Sequence, residues 1–362
     1  MENQTETMKN SALIAMSGGV DSSVAAMLMK REGFTCEGCT MRLYENDMIG
    51  EDIFGTCCSK KDTDDARAVC ERIGIPYHIL HYEQEFTEKV ILPFCESYMH
   101  GRTPNPCVDC NRYMKFDTLY RKAESLGLHY IVTGHYARVK EENGHFYLMK
   151  GKDANKDQSY VLHDLTEAQL AHTRFPLGEY TKDEIRELAR EHGFVTAEKK
   201  ESQDICFVPD GDYAAMIRRF TNTEFPPGDI IDTAGKVIGR HNGIINYTIG
   251  QRRGLGVASE KRLYVSKIDV THNVVVLADE SEIFSREVFV EDFHWITGEA
   301  PTGEIRCKAK LRYRMKEQPC VLTRTEDDRA RLFFDEPQRA ATPGQSAVFY
   351  DGDYVLGGGI II

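Results

Sequence analysis

Residues Ser11 to Gly33 read SALIAMSGGVDSSVAAMLMKREG: an apolar run, two adjacent glycines, then a helical pattern that stops at Gly33. A strand that ends in small residues and feeds a helix is the opening unit of a parallel sheet, because parallel strands need such a crossover to return. The pattern repeats. FTCEGCTMRLY predicts a second strand, DTDDARAVCERIG a helix capped by its early Asp and Thr and closed by Gly, and YHILHY a third strand. A long helix is expected through EFTEKVILPFCESYM, another over KFDTLYRKAESLG, and then HYIVTGHYARV as a strand that breaks at Gly134. Around residue 205 the character changes. Helical residues around Asp212–Phe220 lead to the Pro/Gly break FPPGDI, and from Gly228 onward short β-branched stretches alternate with Gly, Asn and Asp turns. EIRCKAKLRYRM, RARLFFDEP and QSAVFYDGDYVLGGGIII predict a β-barrel or sandwich at the end of the chain. The expected fold class is α/β: a parallel-sheet domain over 1–207, a small central domain over 208–282 and a C-terminal β-barrel over 283–362.

The 362 residues exceed one ordinary core, which agrees with two or three domains. The polar start MENQTETMKN has no apolar run behind it and predicts no signal peptide, and no stretch approaches the roughly 18 apolar residues of a membrane helix. Eleven cysteines in so long a chain do not make a disulfide scaffold. A cytoplasmic protein is expected, with a few chemical thiols and the rest buried. Cys36 and Cys39 mimic a zinc knuckle, but they lie too far from Cys107 and Cys110 for a zinc ribbon; they, Cys70, Cys95, Cys307 and Cys320 read as core, and Cys57 and Cys58 suggest no role.

Two stretches carry chemistry. In AMSGGVDSS (Ala15 to Ser23) the glycines let backbone N–H groups approach an anion at a helix N-terminus, and Ser17, Ser22 and Ser23 add hydroxyls. No Gly-Lys-Ser/Thr follows, so this is not a Walker loop; Asp21 would repel a phosphate unless Mg²⁺ lay between them. In RTPNPCVDCNRYMKF, Cys107 and Cys110 are spaced to hold a metal, close a redox disulfide, or divide into a catalytic residue and a bystander. A third stretch, RCKAKLRYRMK, places Arg306, Lys308, Lys310, Arg312, Arg314 and Lys316 two apart, so a strand would turn all six to one face. A net charge of −12 argues against RNA for the chain taken whole, and that stripe answers it locally.

SGGVDSS behind a first strand resembles the pyrophosphatase-loop ATPases, which split ATP between its α and β phosphates and adenylate a carbonyl oxygen. With GRTPNPCVDCN, TGHY, GKDANKDQSYVL, ESQDICF, TPGQSAVFY and the terminal GGGII, nearly the whole chain resembles the bacterial tRNA-specific 2-thiouridylases. That resemblance implies ATP-dependent conversion of the wobble uridine of tRNA to 2-thiouridine. It implies ATP·Mg²⁺ on Ala15, Met16, Ser17, Gly18, Gly19, Val20, Asp21, Ser22 and Ser23, with Met41 and Gly134 on the adenine and ribose side. Cys206 would carry a persulfide and Cys110 would be its partner. It implies RNA contacts from Asn105, Pro106 and Cys107 around a flipped-out target base, and from His135, Lys156, Asp157, Gln158, Arg312, Tyr313 and Gln345. The implied partners are tRNAs for Lys, Glu and Gln and a sulfur carrier or cysteine desulfurase; no membrane is involved, and a monomer is expected.

The best-known members can carry an aspartate where this chain has Cys107, and Asp109 stands in a different register. The substitution leaves Cys107, Cys110 and Cys206 as an alternative ligand set for a [4Fe-4S] cluster. Two rivals differ in class. An amide-forming adenylating synthetase would need neither Cys110 nor Cys206, and a non-catalytic RNA-binding or iron–sulfur protein would consume no ATP.

Overall fold

Strand β1 (Ser11–Ala15) is buried along all but its last residue, and it occupies the centre of a parallel sheet ordered β3-β2-β1-β4-β7. Its neighbours are β2 (Thr35–Arg42) on one side and β4 (Tyr130–Val132) on the other. β3 (Tyr77–His81) and β7 (Thr173–Arg174) form the edges. Helices cover both faces, which is why β1 reads as a continuous apolar run rather than alternating. The computed structural model describes residues 10–44, 60–199, 205–300, 302–326 and 328–362; Cys57 and Cys58 lie outside them. The chain steps from β1 to β2 and only later returns to place β4 on the opposite flank. That reversal opens a crevice at the carboxyl ends of β1 and β4, where α/β sheets bind ligands.

The helices that bear on this crevice are α1 (Val20–Arg31), α2 (Lys60–Ile73), α3 (83–99) and α4 (106–125). Stretches of α3 (Thr87–Ile91) and α4 (Cys110–Thr118) are widened to π-helical geometry, a distortion frequent at functional sites. Short α5 (Glu167–Ala171), α6 (Lys182–Glu191) and α7 (Tyr213–Thr221) follow. α6 begins in a full capping box, with the Thr181 hydroxyl accepting from the Glu184 N–H and the Glu184 carboxylate accepting from the Thr181 N–H.

The stretch expected as one strand broken at Gly134 is two strands of different sheets. β4 ends at Val132, whereas β5 (Ala137–Glu142) forms a hairpin with β6 (His145–Lys150) that pairs with the last strand of the chain. The central domain is a four-stranded sheet ordered β10-β11-β8-β9, from β8 (Gly228–Asp232), β9 (Val237–His241), β10 (Leu263–Asp269) and β11 (Val274–Asp279). The terminal strands are β12 (Phe284–Trp295), β13 (Glu304–Lys310), β14 (Gln318–Glu326), β15 (Arg329–Arg339), β16 (Ser346–Asp351) and β17 (Tyr354–Ile361). They run β12-β15-β14-β13-β16-β17, and β17 pairs back onto β12, so the sheet closes as an antiparallel barrel. Cys307, Leu322, Leu332, Phe334 and Phe349 fill it.

One expectation changes. β13 stops at Lys310, so only Arg306, Lys308 and Lys310 share a strand face; Arg312, Arg314 and Lys316 lie in the turn beyond it. Arg312 is pulled out of strand register by acceptors on other segments, described below. The Cys107–Cys110 segment, behind its two prolines, forms the first turn of α4. Asn105 caps it by accepting the Cys107 N–H at 3.2 Å, and Pro106 takes the first helical position, where a missing N–H costs nothing.

Candidate active site

The loop between β1 and α1 is tied up by its own hydroxyls. The Ser17 N–H donates to Ser22 Oγ at 3.2 Å, and the Ser22 and Ser23 hydroxyls donate to the Gly19 carbonyl at 3.2 and 2.8 Å. Gly18 has φ +69°, and a Cβ there would stand 2.2 Å from the Asp62 carbonyl oxygen, so α2 requires glycine at this point. Gly134, just past β4, is equally confined: a Cβ would lie 2.9 Å from Asp21 C and Ser22 N. The fold thus presses Gly134 onto the start of α1, where the N–H groups and the helix dipole favour an anion. Ala15, Met16 and Val20 set the loop in the sheet. Met41 is buried on β2 beside Thr40, whose hydroxyl donates to the Met16 carbonyl at 2.7 Å.

Asp21 is not left to repel a phosphate. Lys182 from α6 donates to both its carboxylate oxygens at 2.8 Å, and the Tyr136 hydroxyl donates to Oδ1 at 2.7 Å. The chain itself thus supplies a countercharge to Asp21. A second lysine reaches the loop from the other side: Lys199 Nζ donates to the Gly18 carbonyl at 2.8 Å and to Asp65 at 2.6 Å, and pairs with buried Asp62. Burial lowers the Lys199 pKa, but bonds to Asp62 and Asp65 outweigh it and leave the ammonium group raised, hence charged. Sequence reasoning missed Lys182, Lys199, Tyr136 and Asp62. The only local hints were the lysines in AEKKESQDIC before Cys206 and the capping box that fixes Lys182 at the first turn of α6.

The thiol segments share a backing. Phe207, next to Cys206, packs edge-on against Phe86 and Phe94 of α3 at 5.6 and 5.4 Å between centroids, and the Cys206 carbonyl accepts the Tyr44 hydroxyl at 3.0 Å. The first turn of α4, carrying Cys107 and leading to Cys110, packs against the widened part of the same helix. Cys107 is exposed; Cys110 and Cys206 are half-buried at the edge of one apolar cluster. Between the two cysteines of α4, Asp109 has its pKa raised to about 7 by burial first and by Asp164 second, against the opposing pull of Arg112. Among the described residues no group of three or more His, Cys, Asp or Glu stands in metal-binding geometry, so Cys107, Cys110 and Cys206 are not assembled as a ligand set. Cys36, Cys39, Cys70, Cys95, Cys307 and Cys320 are buried as expected, and in the first four burial raises the thiol pKa.

The residues expected at the RNA are placed unevenly. Tyr313 is exposed, its ring edge-on to Tyr160. His135 is only 8% exposed, wedged between Phe116 and Phe175, with a Thr133 hydroxyl contact of 2.6 Å; burial and then Lys115 hold its pKa well below the ordinary value, so the ring is neutral. Asp157 accepts the N–H groups of Gly151 and Ser159 at 3.1 Å and pairs with Lys310, and Gln158 accepts the Tyr136 N–H at 3.0 Å. Both therefore build the turn that presents Lys156. Arg312 donates to the carbonyls of Ile249 and Ala340 and to the Thr342 hydroxyl, tying central domain to barrel. Gln345 donates to the Thr103 carbonyl at 2.7 Å, the Thr103 N–H donates to the Pro343 carbonyl, and the Thr103 hydroxyl meets Thr248 at 3.2 Å. Three domains thus meet two residues before Asn105.

This is an α/β protein whose glycine–serine loop has the form of an anion cradle at a parallel-sheet switch point, and whose thiol-bearing helix start is held by contacts from two β-domains. The profile of the tRNA methyl transferase HUP domain matches residues 10–210, that of the tRNA methyl transferase PRC-barrel domain residues 215–279, and that of the aminomethyltransferase beta-barrel domain residues 285–361. The chain is 48% identical to the tRNA-specific 2-thiouridylase of Clostridium acetobutylicum, over 98% of its own length and 100% of that protein's. The counterparts from Carboxydothermus hydrogenoformans and Clostridioides difficile are 48% and 44% identical, each over 98% of both chains. The chain belongs to the tRNA-specific 2-thiouridylase family.

Proposed function

We infer that this protein is an ATP-dependent tRNA uridine 2-sulfurtransferase. The observation that carries the reading is the shared scaffold of the two thiols: Phe207 beside Cys206 and the helix start before Cys110 both rest on α3, in the domain that holds the nucleotide loop. Full-length kinship with the thiouridylases supports it. In this reading the uracil O2 attacks the α-phosphorus of ATP bound at Ser17–Ser23 and pyrophosphate leaves. Mg²⁺ travels with the nucleotide. The terminal sulfur of a Cys206 persulfide adds to C2, and AMP departs with the original oxygen. The Cys110 thiolate then attacks Cys206 Sγ; the bond to the transferred sulfur breaks, 2-thiouridine is released, and a Cys110–Cys206 disulfide remains for a dithiol reductant.

The division of labour follows the expected domains, with chemistry in 1–207, a connecting unit in 208–282 and RNA positioning in 283–362. Asn105, Pro106 and Cys107 surround the flipped base in this reading, and Lys156, Arg312, Tyr313 and Gln345 lie along the RNA. The substrates are tRNAs for Lys, Glu and Gln, the sulfur comes from a persulfide-bearing carrier or cysteine desulfurase, and the enzyme is a cytoplasmic monomer. Among the described residues no helix is long and apolar enough to cross a membrane.

The test is single-turnover thiolation of an unmodified tRNA transcript by persulfide-loaded enzyme. Pyrophosphate release that requires tRNA, abolished thiolation in Cys206→Ser, and a trapped RNA–protein mixed disulfide in Cys110→Ala are expected. Full turnover by Cys206→Ser would overturn the reading. An iron count on active, anaerobically purified enzyme separates it from a route through a cluster on Cys107, Cys110 and Cys206.

A further inference from the structure

The central domain carries a basic surface that none of the residues above includes. Between Gly250 and Leu263 the chain reads GQRRGLGVASEKRL, with four cations against the single carboxylate of Glu260. The shape of its first half is fixed by Gln251, whose side-chain oxygen accepts the Thr248 N–H at 3.0 Å and whose amide donates to the Arg253 carbonyl at 3.0 Å. The Gly250 N–H donates to the Val265 carbonyl at 2.7 Å, and the Val265 N–H returns to Gln251. Gly254 and Gly256 turn at φ +71° and +69°, and buried Leu255 anchors the loop between them. Arg252, Lys261 and Arg262 are left exposed around a concavity of about 480 Å³, and Arg253, next in the chain to Arg252, is exposed as well.

Lys261 meets Asp279 at 3.2 Å; Arg252, Arg253 and Arg262 have no ion-pair partner among the described residues. Like charges grouped within a Debye length, about 10 Å, repel one another. In a chain of net charge −12 such a group stands out as a local anion site rather than part of a general basic coat. Its position names the anion. Thr248, two residues before the loop, touches Thr103 at the base of the thiol segment, and a Cβ on Gly250 would lie 3.2 Å from Arg312 Nη2. The loop therefore starts beside Arg312 and two residues after the contact with Thr103, which precedes Asn105 and Cys107 in the chain.

We propose that Arg252, Arg253, Lys261 and Arg262 form a second RNA-backbone site, which takes sugar-phosphate of the tRNA away from the base being thiolated. This rests on the reading of tRNA as substrate. The site asks for charge and reads no base, because exposed arginines around an open concavity track phosphates.

The test is equilibrium binding of an unmodified tRNA transcript to the full-length protein over a KCl series. Arg252→Ala/Arg253→Ala should weaken binding about tenfold at low salt and flatten the slope of log K against log[KCl] by about 1.5, roughly 0.7–0.9 per lost phosphate contact. Arg252→Lys/Arg253→Lys should keep the slope. Thermal melts of all variants should match the parent, since these side chains bury nothing. Binding and slope unchanged in the Ala pair, with the parent binding normally, would overturn this site and leave the thiolation reading intact; weakening with an unchanged slope would overturn it as well. Failure of the parent to bind tRNA would sink both.

Discussion

The side-chain amide of Gln345 donates to the backbone carbonyl of Thr103 at 2.7 Å, joining the barrel to the N-terminal domain across 242 positions of sequence. That bond, the Thr103–Pro343 backbone bond and the Arg102–Glu291 ion pair at 2.6 Å fix where α4 begins. Gln345→Ala leaves the Thr103 carbonyl without this donor and should lower the free energy of opening of 103–110 by about 1–2 kcal/mol, roughly 5- to 30-fold in amide exchange. Hydrogen exchange of the RNA-free protein checks it. A residue that served RNA contact alone would weaken tRNA binding and leave exchange in that segment untouched.

Lys182 pairs with Asp21 in the first turn of α1, and the lysine side chain is 9% exposed while the aspartate is 30% exposed. Lys182→Met keeps the stem but strands the carboxylate where a phosphate should sit. Because Asp21 remains partly in water, the expected loss of stability is about 1–3 kcal/mol, below that of a fully buried pair. ATP should bind at least about tenfold more weakly. Adding Asp21→Asn should restore the melting temperature, which a packing role for Lys182 alone would not produce.

What could be read from sequence divides by chain distance. The Ser17–Ser23 cradle was legible because its glycines, hydroxyls and helix start lie within seven consecutive residues. Lys182 and Lys199 were not, since they come 161 and 181 positions after the groups they bind and nothing in the local pattern encodes that meeting. The basic stripe shows the converse error. Its two-residue period runs to Lys316, but three acceptors at Ile249, Ala340 and Thr342 hold Arg312 in a turn. The resemblance implied an RNA contact for His135 in TGHY, and its burial among Phe116 and Phe175 in the RNA-free chain depends on tertiary packing alone. The barrel was legible in its turn spacing, whereas the departure of β5–β6 from the first sheet to the last was not.

Gly134→Ala tests the confinement of the cradle. The new methyl group would stand 2.9 Å from two backbone atoms of α1, so the helix start must shift by several tenths of an ångström. The fold should survive, with melting lowered by about 1–3 kcal/mol, the usual cost of overpacking. The Michaelis constant for ATP should rise about tenfold or more, because the N–H groups that approach the phosphates move. Gly18→Ala should be worse, as it adds a left-handed backbone to a clash with the Asp62 carbonyl.

Asp109 gives a pH-dependent prediction with a definite sign. Its pKa is raised to about 7 in the folded protein, against about 4 in an unfolded chain. Between those values the folded state holds a proton that the unfolded state has released. The associated stability is complete below pH ~4 and is lost as pH rises through ~7. Asp109→Asn removes the titration while keeping the shape. Its melting temperature should therefore gain on the parent's between pH 5 and pH 8, by the equivalent of about 1–2 kcal/mol once solvent screening at a half-buried position is allowed for. Asp164 and Arg112, which face this carboxyl, should make the gain depend on their own charge: Asp164→Asn in the parent should reduce it, because one source of the raised value disappears. A gap between Asp109→Asn and the parent that is the same at both pH values would show that the carboxyl ionises as it does in water.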